Sequence, residues 1–253
     1  ITAKRLSAMK TRISLLLAAA LLAAGSCTKR PVQPRFGIAA TDTLVSRNGI
    51  ACKIEYRFAS ILNAGKSPAL TAIEQANIGY FFDLEAFSGT VREAAAAAIG
   101  QFADIYLADS LPTGSGNAEY EISAESEGAV VDTLVVYTIT QSSYTGGAHG
   151  MYSRENYVYS LDGGYEITLA DLFTEAQLES LGRLIRRKLY EQYDVRDDEG
   201  LVAAGFCPEY IAPTENFLVT PESIVFCYNP YEIGCYALGS VEVEVTREEL
   251  AGL

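Results

Sequence analysis

The chain has a single histidine, His149, and that scarcity removes several chemistries at once. An H-E-x-x-H helix, a two-histidine zinc site and the Asp-His-His metal set of polysaccharide deacetylases each need more than one imidazole. The G-x-S-x-G nucleophile elbow is missing as well. A serine triad would have to join His149 to Ser142 or Ser143, and a lone histidine among glycines is more often a structural group bonded to a neighbouring loop. No C-x-x-C occurs, which leaves thioredoxin chemistry and zinc ribbons unsupported. With 32 acidic residues present, a carboxylate pair of the glycosidase kind is not singled out by spacing. The sequence therefore assigns no catalytic residue, no metal ligand and no cofactor. Basic residues are also scarce, 19 against the 32 acidic, which argues against nucleic acid or anionic lipid as a partner and suits a basic protein. Plain solubility explains the same charge.

No apolar run reaches the roughly 20 residues that cross a bilayer. The longest, Ile13 to Ala24, has 12 residues and follows Lys10 and Arg12, as in a secretory signal beginning at Met9. Residues 1–8 read as upstream of that start. Ala24, Gly25 and Ser26 lead into Cys27, a layout that resembles the lipobox of bacterial lipoproteins, in which the cysteine becomes the acylated N-terminus. The expected anchor is therefore an acyl group in a lipid bilayer, and residues 1–27 are expected to be a signal peptide. In Bacteroidetes-type lipoproteins surface export resembles a code of acidic residues after the cysteine; Thr28, Lys29 and Arg30 are not acidic, so a periplasm-facing outer-membrane anchor in the cell envelope is expected. Cleavage would leave 15 basic residues against 32 acidic, a balance of −17.

The remaining chain, about 226 residues, can form one large domain or two small ones. Residues 28–44, with Pro31, Pro34, Gly37 and no periodicity, read as a flexible tether. Cys52, Ile54, Tyr56 and Phe58 alternate with charged residues and predict a strand. Ser67-Pro68 opens a helix. Thr90 to Glu93 forms a capping box before a second helix, with Val91, Ala95, Ala98, Phe102 and Ile105 on its inner face. Alternation resumes at Ala118 to Ala124, after a Gly114–Gly116 turn, and again at Val131 to Ile139, predicting antiparallel neighbours. Asp162-Gly163 marks a hairpin whose return strand is Tyr165 to Leu169. Thr174 to Gln177 is a second capping box, before a helix with Leu178, Leu181, Ile185 and Leu189 inward. Arg183, Arg186, Arg187 and Lys188 near its end suit the helix dipole. Strands close the chain. The prediction is an α+β fold: helices over 68–82, 90–108 and 175–193 on antiparallel sheet, in two similar-sized α/β sub-domains, 45–142 and 143–253. Apart from Cys27 the cysteines are Cys52, Cys207, Cys227 and Cys235; Cys227 and Cys235 flank a turn at Asn229-Pro230 and could close a short disulfide loop, or all four could be buried thiols.

Two loops hold the candidate ligand-binding residues. One is the glycine-rich bend with Tyr144, Gly146, Gly147, His149, Gly150 and Tyr152; the other carries Tyr228, Asn229, Tyr231, Glu232 and Tyr236. Tyrosines suit an interface, because a large apolar ring ends in a polar group. Gly146-Gly-Ala-His-Gly150, Gly164-Tyr-Glu-Ile-Thr-Leu-Ala-Asp-Leu-Phe173, the amphipathic helix and Phe226-Cys-Tyr-Asn-Pro-Tyr-Glu-Ile233 together resemble a domain-of-unknown-function family. That family includes the extracellular, lysozyme-binding part of RsiV-like anti-sigma factors, and it is similar to the non-catalytic region of PdaC-type peptidoglycan deacetylases. Residues 45–142 are similar to the companion domain that precedes it. The resemblance implies a non-enzymatic envelope binding module whose partner is a lysozyme-like protein or peptidoglycan. A cell-wall polymer-modifying enzyme and a structural envelope protein are the alternatives. Anti-sigma activity does not carry over, because the transmembrane and sigma-binding segments of the signalling members have no counterpart, and no lysozyme-contact residue is transferred.

Overall fold

The computed structural model describes residues 30–108 and 118–253. Cys27 and the expected signal peptide lie outside those residues, as does the Gly114–Gly116 turn. The fold is α+β, as predicted. Strands β1 (Phe36–Arg47) and β2 (Ile50–Ile61) form an antiparallel hairpin. Helices α1 (Pro68–Phe82) and α2 (Val91–Tyr106) follow, then β3 (Ala118–Val131), β4 (Leu134–Tyr144) and β5 (Met151–Ser160). These five strands make one sheet in chain order. Beyond it come α3 (Leu169–Leu172), α4 (Glu175–Gln192), α5 (Asp198–Ala203), β6 (Phe217–Val219), β7 (Ser223–Tyr228), β8 (Val241–Thr246) and α6 (Arg247–Leu250). Strands β6, β7 and β8 form a second, antiparallel sheet.

Four expectations need correction. The tether ends at Phe36, because residues 36–44 pair with β2 along its length. Their inward residues, Ala39, Thr41 and Thr43, are small or polar, and so an edge strand with a weak apolar stripe reads as loop. Strands β2 and β3 are parallel, not antiparallel. The α1–α2 pair supplies the long crossover that parallel pairing needs. The expected boundary at 142/143 falls inside β4, and β5 continues the first sheet across it. The hairpin return at Tyr165 to Leu169 shrinks to one bridge, Tyr159 with Glu166, before α3 begins, and its turn places Gly164, not Gly163, at positive φ.

The helices hold as predicted. Thr90 and Thr174 accept from the backbone N–H of Glu93 and Gln177, and both boxes close reciprocally. In α2 the inner face is Ala94, Ala95, Ala98 and Phe102, while Ile105 is exposed. The alanines let the helix lie close to the sheet. In α4 Leu181, Leu184, Ile185 and Leu189 are buried.

Two hydrophobic cores meet at β4 and β5. Val135, Tyr137, Ile139 and Tyr159 face α1 and α2, together with Ile54 and Phe58, and pack with Phe81 of α1. Leu134, Val136 and Val158, one residue out of phase, face the other way and pack with Leu181, Phe217, Phe226 and Val243. The run Leu134–Tyr137 is buried throughout because it serves both cores.

The outer edge of β5 is closed by side chains. The Asn229 Oδ1 accepts from Arg154 N (2.7 Å) and the Asn216 Oδ1 from Asn156 N (2.9 Å), while Asn216 Nδ2 donates to Arg154 O (2.7 Å). Val158 O and Ser160 N are taken by Ile167 N and Tyr165 O. Two amide side chains thus stand in for a sixth strand.

Candidate functional site

After Tyr144 the backbone reverses through Gly146 and Gly147, at φ +92° and +96°, a region that only glycine enters at low cost. Gly150 then brings β5 past β4 so closely that a Cβ there would lie 2.8 Å from Ser143 O. His149 is exposed at this bend, its Nδ1 2.9 Å from Gly150 O. A carbonyl only accepts, so in this contact Nδ1 carries the hydrogen.

The second loop comes up against the first. Glu232 Oε2 accepts from Asn229 N (2.9 Å) and tightens a turn in which Tyr231 takes φ +76°, with its ring exposed. Strain of this kind in a non-glycine residue persists only when its surroundings fix it. Tyr236 donates its hydroxyl to Gly150 O (2.8 Å) and stacks on His149, with centroids 4.0 Å apart. Tyr152 meets the Tyr236 ring edge-on at 6.0 Å, and Tyr231 lies 5.5 Å from it. Tyr236 is the hub of a four-ring surface cluster assembled from both loops.

The other candidates divide. Tyr144 is exposed, with its hydroxyl on Gly147 O (3.3 Å). Tyr228 is buried, bonded to Ala212 O (2.7 Å), and burial raises its phenol pKa; it is a core residue, not a ligand contact. Asn229 is buried and occupied with β5. Its Nδ2 reaches Glu155 Oε1 (2.8 Å) and Glu232 Oε1 (3.4 Å). Burial first, and then the charge of Glu232, raise the pKa of Glu155. The disulfide does not form: Cys227 and Cys235 are free thiols. Cys227 is buried in β7, with its Sγ toward Val225 O, whereas Cys235 is exposed and packs its sulfur against Gly205. Nor is a serine triad assembled among the described residues, since Ser142 Oγ bonds Ser123 Oγ (2.9 Å) and His149 bonds Gly150 O.

Sequence reading missed what lies beside the rings. On β3, Tyr120, Ile122 and Ala124 turn to the core, so Glu119, Glu121 and Glu125 share the open face of the large sheet. Glu121 stands opposite Tyr144, and Ser142 opposite Tyr152, so the acidic row and the aromatic cluster share one face with Tyr144, Ser123 and Ser142 between them. A depression of about 530 Å³ between Lys53, Glu119, Glu121 and Tyr144 lies on that path, and another of about 290 Å³ lies over Glu55, Arg57, Ser123 and Thr140. The alternation of β3 and its antiparallel pairing with β4 were legible, but the register that sets Glu121 opposite Tyr144 was not. No helix among the described residues is long and apolar enough to cross a membrane.

Solved structures of the DUF3298 family resemble this one. A member of the DUF3298 family from Bacteroides fragilis NCTC 9343 is 25% identical with a TM-score of 0.74, over 85% of this chain and 91% of that one. A DUF3298 family protein from Pseudomonas aeruginosa PAO1 shares the fold at 16% identity and a TM-score of 0.60, over 88% of this chain and 94% of that one. No curated protein matches the chain. Residues 170–248, from α3 to the start of α6, match the family described as a protein of unknown function, DUF3298.

Proposed function

We propose that this chain is an envelope lipoprotein, acylated at Cys27, that binds a basic protein, with a lysozyme-like enzyme as the first candidate. The observation that carries the reading is the surface cluster of His149, Tyr152, Tyr231 and half-buried Tyr236, on the same face of the sheet as the acidic row of β3 and separated from it by Tyr144, Ser123 and Ser142. Rigid aromatic rings beside like charges fit a partner with basic side chains around an apolar patch: the rings provide contact area, and the carboxylates provide steering. The RsiV-like resemblance points to the same ligand. Catalysis is the weaker alternative. The nearest paired carboxylates, Glu155 and Glu232, are both engaged on Asn229 and so serve to hold the loops.

The test is calorimetric titration of a basic lysozyme at low and high salt. Binding should weaken as salt rises, because exposed charges are screened. Tyr236→Ala should weaken it about tenfold, as expected of an interface aromatic. No binding at low salt, or binding indifferent to both Tyr236→Ala and Glu121→Lys, would remove the proposal; muropeptide binding in its place would move the site to peptidoglycan. Fractionation tests the anchor: Cys27→Ala should release the protein from the membrane.

A further inference from the structure

The two edges of the large sheet are treated in opposite ways. The β5 edge is filled by Asn216, Asn229 and the 165–167 segment. The β1 edge is 12 residues long and contains no proline, lysine or bulge. Natural edges are ordinarily blunted by one of these devices, because unpaired N–H and C=O groups invite another strand. The bond from Leu62 N to Arg35 O sets the phase of the hairpin: odd residues of β1 bond to β2, and even residues turn their backbone groups outward. Ile38, Ala40, Asp42 and Leu44 therefore present a ladder that has no partner among the described residues.

We infer that β1 pairs antiparallel with β1 of a second copy of this chain, joining two five-stranded sheets into one of ten strands about a two-fold axis. The side chains select both the occupant and the register. Ile38 and Leu44 are 60% and 67% exposed on the open face, the largest apolar side chains of the edge to be so. The one outward acid, Asp42, is paired with Arg57 (2.8 Å), so the edge carries no excess of acid to draw a basic partner. Centring the two-fold on Asp42 would set the two Asp42 carboxylates opposite each other, and like charges in that position destabilise. Centring it on Thr41 places Ile38 against Leu44 of the copy, twice per dimer, and Asp42 against Ala40. That register uses every outward backbone group from Ile38 to Leu44. Leu44 borders the depression that reaches Glu121 and Tyr144, but Tyr152 and its neighbouring rings lie at the opposite, β5 edge of the sheet, so the dimer leaves both aromatic clusters open.

The test is the mass of the purified protein by light scattering over a dilution series, with Leu44→Lys and, as a control on an exposed helix position, Val202→Lys. A two-chain mass at high concentration is expected, with dissociation eased about tenfold by Leu44→Lys, which loses two cross-strand pairs, and unchanged by Val202→Lys. Adding Ile38→Glu to Leu44→Lys should restore the dimer, since each introduced carboxylate then faces an introduced ammonium. Under mild oxidation Thr41→Cys should cross-link two chains well above the level of the parent, and Asp42→Cys should not. A single-chain mass at every concentration would overturn the inference, as would a dimer indifferent to Leu44→Lys or cross-linking stronger at Asp42→Cys.

Discussion

His149 and Tyr236 lie ring on ring, 4.0 Å apart and 20° from parallel, and both hydrogen-bond the carbonyl of Gly150. This one carbonyl ties the glycine bend to the tyrosine loop. Tyr236→Phe keeps the stack and loses one bond, so it should cost about 1 kcal/mol in urea unfolding. Tyr236→Ala also loses the stack and should cost about 2 kcal/mol. His149→Ala loses the same stack together with a bond to the adjacent residue and should cost about 1–2 kcal/mol. A folded His149→Ala variant that abolished a measurable hydrolysis of peptidoglycan by the parent would instead mark the histidine as a general base.

The glycines of the bend should not be equivalent. Gly147 has open space around it but sits at φ +96°, so Gly147→Val should destabilise through backbone strain by about 2 kcal/mol. At Gly150 the obstacle is the carbonyl of Ser143, which cannot rotate away, and even Gly150→Ala should cost about 2–3 kcal/mol. Thermal melts of the two variants check both values.

Asn216 holds three bonds to β5, two through Oδ1 to Asn156 and one through Nδ2 to Arg154 O. Asn216→Ala strands those groups in a buried place and should cost about 3 kcal/mol, more than truncating any surface ion pair such as Arg47 with Asp104. Unfolding in urea, compared with Arg47→Ala, is the measurement.

Glu74 is buried under the sheet, its oxygens on Ser60 Oγ (2.6 Å) and Ile61 N (2.7 Å). Burial raises its pKa, against the pull of those two bonds. The folded chain therefore holds this proton more tightly than the unfolded one. Its favourable contribution is complete below the ordinary value of 4.5 and is lost as pH rises through the higher folded value. Glu74→Gln can still accept from Ile61 N through Oε1 and can donate from Nε2 to Ser60 Oγ, without the charge. Stability measured from pH 4 upward should fall less steeply in that variant than in the parent.

The elements legible in the sequence were those fixed by short-range chemistry. Thr90 with Glu93 and Thr174 with Gln177 announce helix starts through contacts three residues apart, and the apolar spacing of α4 follows from the helical period. What stayed hidden was set by distant partners. Residues 36–44 become a strand because β2 offers them a ladder, not because their own pattern demands one. Cys227 and Cys235 stand eight positions apart around a turn signal, yet one thiol is enclosed by β7 and the other lies against Gly205. Of the site, both loops and most of their rings could be picked out; the acidic row beside Tyr144 could not, because only the β3–β4 register brings it there.

Strands β4 and β5 are a party wall, with Tyr137 and Tyr159 facing one room and Val136 and Val158 the other. Neither room stands once the wall is lost. Melting should therefore be a single event, with calorimetric and van't Hoff enthalpies in agreement, even though the chain builds two separate apolar interiors. A cavity cut at Val136 should loosen α1 as well as α4, and amide exchange in the two halves should rise together.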